Sequence, residues 1–200
     1  MARPDDLAER RGLETDVYQP AEDSALLASA TVEAVEAGDA VLEVGTGSGW
    51  VAAQVRETRE ARVIAADVNP HACRQARDRG LEVVRADLVS PFRTDSFDVV
   101  TFNPPYLPTD PDNEWDDWME AALSGGETGR RLVEPFLEEV GRVLASSGCV
   151  LLLVSSLTDR EVVESIAADA GFETEAVREE SYPFETLWVL RLFPVGPDTS

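Results

Sequence analysis

The chain has 200 residues, 44% of them hydrophobic, which suits one globular domain with a sizeable core and excludes a disordered or fibrous chain. No apolar run approaches the ~18 residues needed to span a bilayer, and the start Met1-Ala2-Arg3-Pro4-Asp5-Asp6 is charged with no apolar segment behind it, so neither a membrane span nor a secretory leader is expected and the location is read as cytoplasmic. There are 39 acidic and 17 basic residues, every basic one an arginine, for a formal net charge of -22. Such an excess suits either a basic partner or a cytoplasm of molar salt, where the Debye length falls to about 3 Å and self-repulsion is screened. The even spread of acids and the absence of lysine favour the halophilic explanation.

The elements alternate along the chain. Residues 1–16 read as a loose, charged tail before a single domain over 17–200. Ala21 to Ala37 has helical apolar spacing and stops at Gly38-Asp39. Ala40–Val44 reads as a strand, Gly49–Thr58 as a helix and Arg62–Ala66 as a strand. Pro70–Arg79 is a helix with proline at its start and Gly80 past its end. Leu81–Arg85 and Phe97–Phe102 are strands. Glu127–Ala145 reads as a long helix that Pro135 could kink, then Gly148–Val154 as a strand and Thr158–Ala170 as a helix. Phe172–Arg178 and Thr186–Phe193 close the chain as an antiparallel hairpin. This order predicts an α/β fold: one doubly wound, mostly parallel seven-stranded sheet with one reversed strand. In such sheets ligands sit beyond the carboxyl ends of the strands, where the strand order reverses.

Four motifs fall at strand ends. The first, Glu43-Val44-Gly45-Thr46-Gly47-Ser48-Gly49, lets backbone approach a cofactor closely. A dinucleotide fingerprint wants its third glycine three residues after the second; here Trp50 fills that place, which disfavours NAD. The second is Asp67 with Val68, about twenty residues on, a carboxylate suited to ribose hydroxyls. The third is Asp87-Leu88, a carboxylate for an adenine amine and an apolar face for its ring. The fourth is Asn103-Pro104-Pro105-Tyr106. Two prolines fix the backbone, the Asn103 side-chain oxygen and the Pro104 carbonyl can both accept from one NH₂ group, and Tyr106 offers a flat face. Cys73 and Cys149 lack the spacing of a zinc or redox pair, so no metal is expected. His71 reads as a polar residue in the first turn of a helix. Trp115 and Trp118 fit a substrate-contacting lid or an acidic surface loop equally well.

This ordered set resembles the class I S-adenosylmethionine-dependent methyltransferases, and Asn-Pro-Pro-Tyr resembles the branch acting on planar nitrogens. The stretches Val17-Tyr18-Gln19-Pro20-Ala21-Glu22-Asp23-Ser24 and Gly125-Gly126-Glu127-Thr128-Gly129-Arg130 are similar to HemK-type glutamine methyltransferases of the short archaeal and eukaryotic kind, and the likeness runs from about Val17 to about Phe193. The resemblance implies S-adenosylmethionine held by Glu22, Glu43, Gly45, Thr46, Gly47, Gly49, Asp67, Val68, Asp87, Leu88 and Asn103. It implies Asn103, Pro104 and Tyr106 as catalytic residues, with Pro105 beside them against the substrate. The implied substrate is the Gly-Gly-Gln glutamine of the translation termination factor, and the implied partner a small zinc-binding activator that pairs with the sheet edge in a heterodimer. The competing expectations are a nucleic-acid N-methyltransferase acting on a base amine and a non-catalytic cofactor-binding scaffold. No basic cluster beyond Arg74, Arg77 and Arg79 offers a track for phosphates, so nucleic acid is not expected as the direct substrate.

Overall fold

The computed structural model describes residues 16–109 and 118–195. The expected N-terminal tail, apart from Asp16, and Trp115 lie outside those residues. Thirteen elements are described: α1 (Glu22–Ala34), β1 (Ala40–Val44), α2 (Trp50–Thr58), β2 (Arg62–Asp67), α3 (Pro70–Asp78), β3 (Glu82–Arg85), β4 (Phe97–Phe102), α4 (Trp118–Leu123), α5 (Val133–Val143), β5 (Leu144–Ser155), α6 (Arg160–Asp169), β6 (Phe172–Ser181) and β7 (Thr186–Pro194). They build one seven-stranded sheet in the order β3-β2-β1-β4-β5-β7-β6. The first five strands are parallel; β7 runs antiparallel to both β5 and β6. This is the expected doubly wound, mostly parallel seven-stranded sheet, with β7 as the reversed strand.

The central strands read as unbroken apolar runs because both faces are covered. Successive side chains point to opposite faces. Leu42, Val44, Val100, Phe102, Leu152 and Val154 pack with α5 and α6, while Val41, Val99, Leu151 and Leu153 pack with α1 and α2. On the first face the Phe102 and Phe136 rings lie 4.6 Å apart. On the second, Thr31 Oγ1 meets Thr101 Oγ1 at 3.1 Å, both fully buried, which pins α1 to β4.

Several boundaries differ from the sequence expectation. Helix α1 stops at Ala34 because Val35 turns extended (φ -80°, ψ 130°) and buries its side chain. The helix expected from Glu127 begins only at Val133, since Gly126 and Gly129 adopt left-handed φ values of 70° and 72°. Pro135 therefore sits in the first turn, before the first helical bond from Phe136 N–H to the Leu132 carbonyl, and causes no kink. Strand β5 starts directly at Leu144, four residues early, through a register shift against β4. Helix α6 starts at Arg160 after a single tight turn over Ser156–Thr158. Helix α4 is an element that the sequence reading left as loop or lid.

Both sheet edges carry charge. Edge strand β6 exposes Glu173, Glu175, Glu179 and Glu180, and β3 exposes Glu82 and Arg85. The like charges along β6 discourage edge pairing but repel one another at low ionic strength. The unfolding midpoint is therefore expected to rise from dilute buffer to molar KCl as the Debye length shrinks to about 3 Å. A midpoint that stays flat across that range contradicts the salt reading of the acid excess.

Candidate active site

A cavity of about 330 Å³ opens at the carboxyl ends of β1, β2 and β4, where the sheet order reverses between β1 and β4. Its volume falls within the roughly 300–1,000 Å³ usual for small-molecule sites.

The glycine loop after β1 forms one wall. Gly45, at φ 61°, faces the cavity, and a Cβ there would lie 3.2 Å from the Phe102 ring. Gly47 donates its N–H to Asp67 Oδ2 at 2.8 Å, while Asp67 Oδ1 accepts from Asn69 N–H at 2.8 Å. Asp67 thus ties the loop to the end of β2. Burial raises its pKa, and backbone hydrogen bonds partly offset this. Glu43 lies beneath the loop, with Oε2 accepting from Thr46 Oγ1 at 2.5 Å and from Ala52 N–H at 2.9 Å. Val68, exposed although apolar, lines the cavity with Asp87 and Leu88.

Two expected cofactor contacts lie elsewhere. Gly49 does not line the cavity: a Cβ there would come within 2.8 Å of Ala76 Cβ and 2.9 Å of its Cα, so this glycine lets α2 approach α3. Glu22 is exposed at the start of α1, also off the cavity; its neighbour Asp23 is 3% exposed and lines it.

The fourth motif, Asn103, Pro104, Pro105 and Tyr106, lines the opposite wall. Asp23 holds it in place. Its Oδ2 accepts from Asn103 Nδ2 at 2.9 Å, from the Tyr18 hydroxyl at 2.9 Å and from the Tyr106 hydroxyl at 3.4 Å. A carboxylate only accepts, so Asn103 must turn its NH₂ group toward it. Asn103 Oδ1 is left buried without a hydrogen-bond partner among the described residues. Burial, reinforced by the Asp23 charge, raises the pKa of both tyrosines, so they stay protonated donors.

The loop at 125–131 buttresses this wall. Leu107 N–H bonds the Leu123 carbonyl, Gly125 N–H bonds the Leu107 carbonyl, and Thr109 N–H bonds the Gly126 carbonyl. A Cβ on Gly129 would lie 2.6 Å from the Tyr106 carbonyl oxygen, so only glycine lets the two backbones meet. Trp118, at the start of α4, lines the cavity and is half-buried. His71 stands apart; its N–H caps onto Asn69 Oδ1 and its Nδ1 lies 3.5 Å from Asp16.

Sequence reasoning missed Asp23 and Tyr18 as site residues. The one available signal was their place in the Val17–Ser24 segment, where the choice fell on Glu22. Among the described residues the cavity is lined by four acids, Asp23, Glu43, Asp67 and Asp87, and by no arginine or histidine. That set fits a cationic cofactor with a nucleoside end better than a diphosphate. S-adenosylmethionine matches: carboxylates for its ribose and amines, Val68 and Leu88 for its ring, and the Gly45 cradle for close backbone approach.

Comparison with known proteins agrees. Residues 41–125 match the methyltransferase domain family. A candidate protein N5-glutamine methyltransferase of Methanocaldococcus jannaschii is 34% identical, over 89% of this chain and 92% of its own. Human methyltransferase HEMK2 is 32% identical, over 90% and 91%. The solved E. cuniculi Mtq2–Trm112 complex, responsible for methylation of the eRF1 translation termination factor, superposes with a TM-score of 0.75 at 28% identity, covering 90% of this chain and 99% of that one.

Burial is also the main cause that pushes the Glu43 carboxyl up from 4.5 to about 7, against the hydrogen bonds from Thr46 and Ala52. The unfolded chain ionises this group near 4.5, whereas the folded protein keeps the proton until about 7. Between those values the native state binds more protons, so its contribution to stability falls as pH rises. Ligand-free protein is expected to lose melting temperature across this window, and Glu43→Gln to flatten the slope. An unchanged slope in the variant contradicts the assignment.

Proposed function

The chain belongs to the HEMK2-type N5-glutamine branch of the S-adenosylmethionine-dependent methyltransferases, and from that premise we propose that it methylates the Gly-Gly-Gln glutamine of the translation termination factor on its side-chain amide. The observation that carries the reading is the buried, unpartnered Oδ1 of Asn103 beside Pro104 and Tyr106.

Glycine-loop residues Gly45, Thr46 and Gly47, with Glu43, Asp67, Val68, Asp87 and Leu88, hold the cofactor. When bound, S-adenosylmethionine supplies an electrophilic sulfonium methyl. The amide nitrogen of glutamine is a poor nucleophile because its lone pair is delocalised into the carbonyl. Asn103 Oδ1 and the Pro104 carbonyl accept from its two N–H groups and favour a pyramidal nitrogen whose lone pair is free to react. Tyr106 holds the amide plane, with Pro105 fixing its approach. Orientation of this kind is worth roughly 7–11 kcal/mol of barrier. The proton released leaves to water.

The active form is a heterodimer with a small zinc-binding activator of the Trm112 type. Two features support this: the superposing E. cuniculi protein was solved with Trm112, and the four-residue β3 edge has no outer strand partner among the described residues. No helix among the described residues is long and apolar enough to cross a membrane, and a translation factor as the proposed substrate supports a cytoplasmic location. A protein equally soluble and active without the activator contradicts the heterodimer.

Labelled S-adenosylmethionine, given with the activator to a whole-cell extract in molar KCl, is expected to yield label that protease removes and that maps to a termination-factor glutamine. Label removed by nuclease moves the substrate to nucleic acid. Asn103→Ala is expected to lower turnover by about 100-fold while S-adenosylhomocysteine affinity changes far less. A parallel fall in both contradicts the role given to Asn103.

A further inference from the structure

We infer that Asp23 is a positioning residue that turns the substrate end of the cavity into a hydrogen-bond-accepting wall, and so selects an N–H-bearing nucleophile. The inference rests on the glutamine reading above and deepens it.

Three donors from two separate segments converge on one oxygen. The Tyr18 hydroxyl, Asn103 Nδ2 and the Tyr106 hydroxyl all meet Asp23 Oδ2. Each hydroxyl has a single proton, and each gives it to the carboxylate. What these hydroxyls still offer is lone pairs. Asn103 is fixed by the same logic: with its NH₂ on the carboxylate, its oxygen is the group left without a partner. A glutamine amide brings two N–H donors and suits this wall. A deprotonated oxygen nucleophile brings only lone pairs and is repelled by it.

The carboxylate itself is held. Its Oδ1 accepts from the Ser24 N–H at 2.5 Å and the Ser24 hydroxyl at 3.1 Å, in the first turn of α1. The Thr31–Thr101 contact locks α1 to β4 two residues before Asn103, so Asp23 and Asn103 meet although 80 residues separate them. An asparagine at position 23 keeps the shape but removes the discrimination. It can donate as well as accept, so the Asn103 amide is free to flip and present its NH₂ group to the substrate.

The test uses the complex with its activator and compares Asp23→Asn in the wild-type and Asn103→Ala backgrounds. Asp23→Asn is expected to lower turnover by about 10- to 100-fold in the wild-type background. S-adenosylhomocysteine affinity is expected to stay within about 3-fold, and the same change to matter by less than about 3-fold once Asn103 is alanine, because residues acting as a unit are not additive. Equal losses in both backgrounds, or a loss of S-adenosylhomocysteine binding that parallels turnover, overturns the inference. A second readout needs no substrate: hydrogen exchange of the Asn103 side-chain NH₂ by NMR. It is expected to be about 10-fold faster in Asp23→Asn than in wild type, as protection by a buried hydrogen bond is lost; equal exchange overturns the inference. Wild-type enzyme that labels no glutamine sinks the termination-factor reading alone, and the exchange measurement then still decides the role of Asp23.

Discussion

One buried carboxylate oxygen, Oδ2 of Asp23, joins the segment before α1 to the end of β4, and the wall of the cavity built by Asn103 to Tyr106 depends on it. Buried acids are stable only when their lone pairs are satisfied. Asp23 meets that demand with donors that are themselves site residues, so the requirement to pair the acid and the requirement to orient Asn103 are one constraint. The opposite wall repeats the arrangement. Asp67 ties the glycine loop to β2 through Gly47 N–H, and Glu43 ties it to α2 through Ala52 N–H. Carboxylates position the backbone around the whole cavity, and the sheet positions the carboxylates.

The acids of this chain therefore divide into two populations. Most of those described are exposed on the surface. Asp23 and Glu43 are buried and hold the site. That division explains what the sequence could and could not reveal. Strands β1, β4 and β5 were legible because burial on both faces writes a continuous apolar run. The glycine loop, Asp67 and Asn103-Pro104-Pro105-Tyr106 were legible because each ends a strand. Asp23 was not, since an acid at the start of a helix in a chain with 39 acids carries no local sign of burial. Its environment is set by residues 80 positions away.

Gly49 shows a related ambiguity. A glycine in a cofactor-type loop reads as a cofactor contact, yet its surroundings are Ala76 and Leu81, residues brought there only by the packing of α3. The loop at 125–131 is the converse. Its similarity to known enzymes was visible, but its physical reason was not. Gly129 passes against the Tyr106 carbonyl, so a loop distant in sequence supports the turn that follows β4. Helix α4, six residues long, is too short for periodicity to declare it.

The most direct test of the account is a crystal structure of the protein with its activator, S-adenosylhomocysteine and a glutamine-bearing peptide from the termination factor. The account predicts the glutamine amide nitrogen within about 3 Å of both Asn103 Oδ1 and the Pro104 carbonyl, with Asn103 Nδ2 still on Asp23. An amide nitrogen bound elsewhere, or an Asn103 that has turned its NH₂ group toward the substrate, contradicts it.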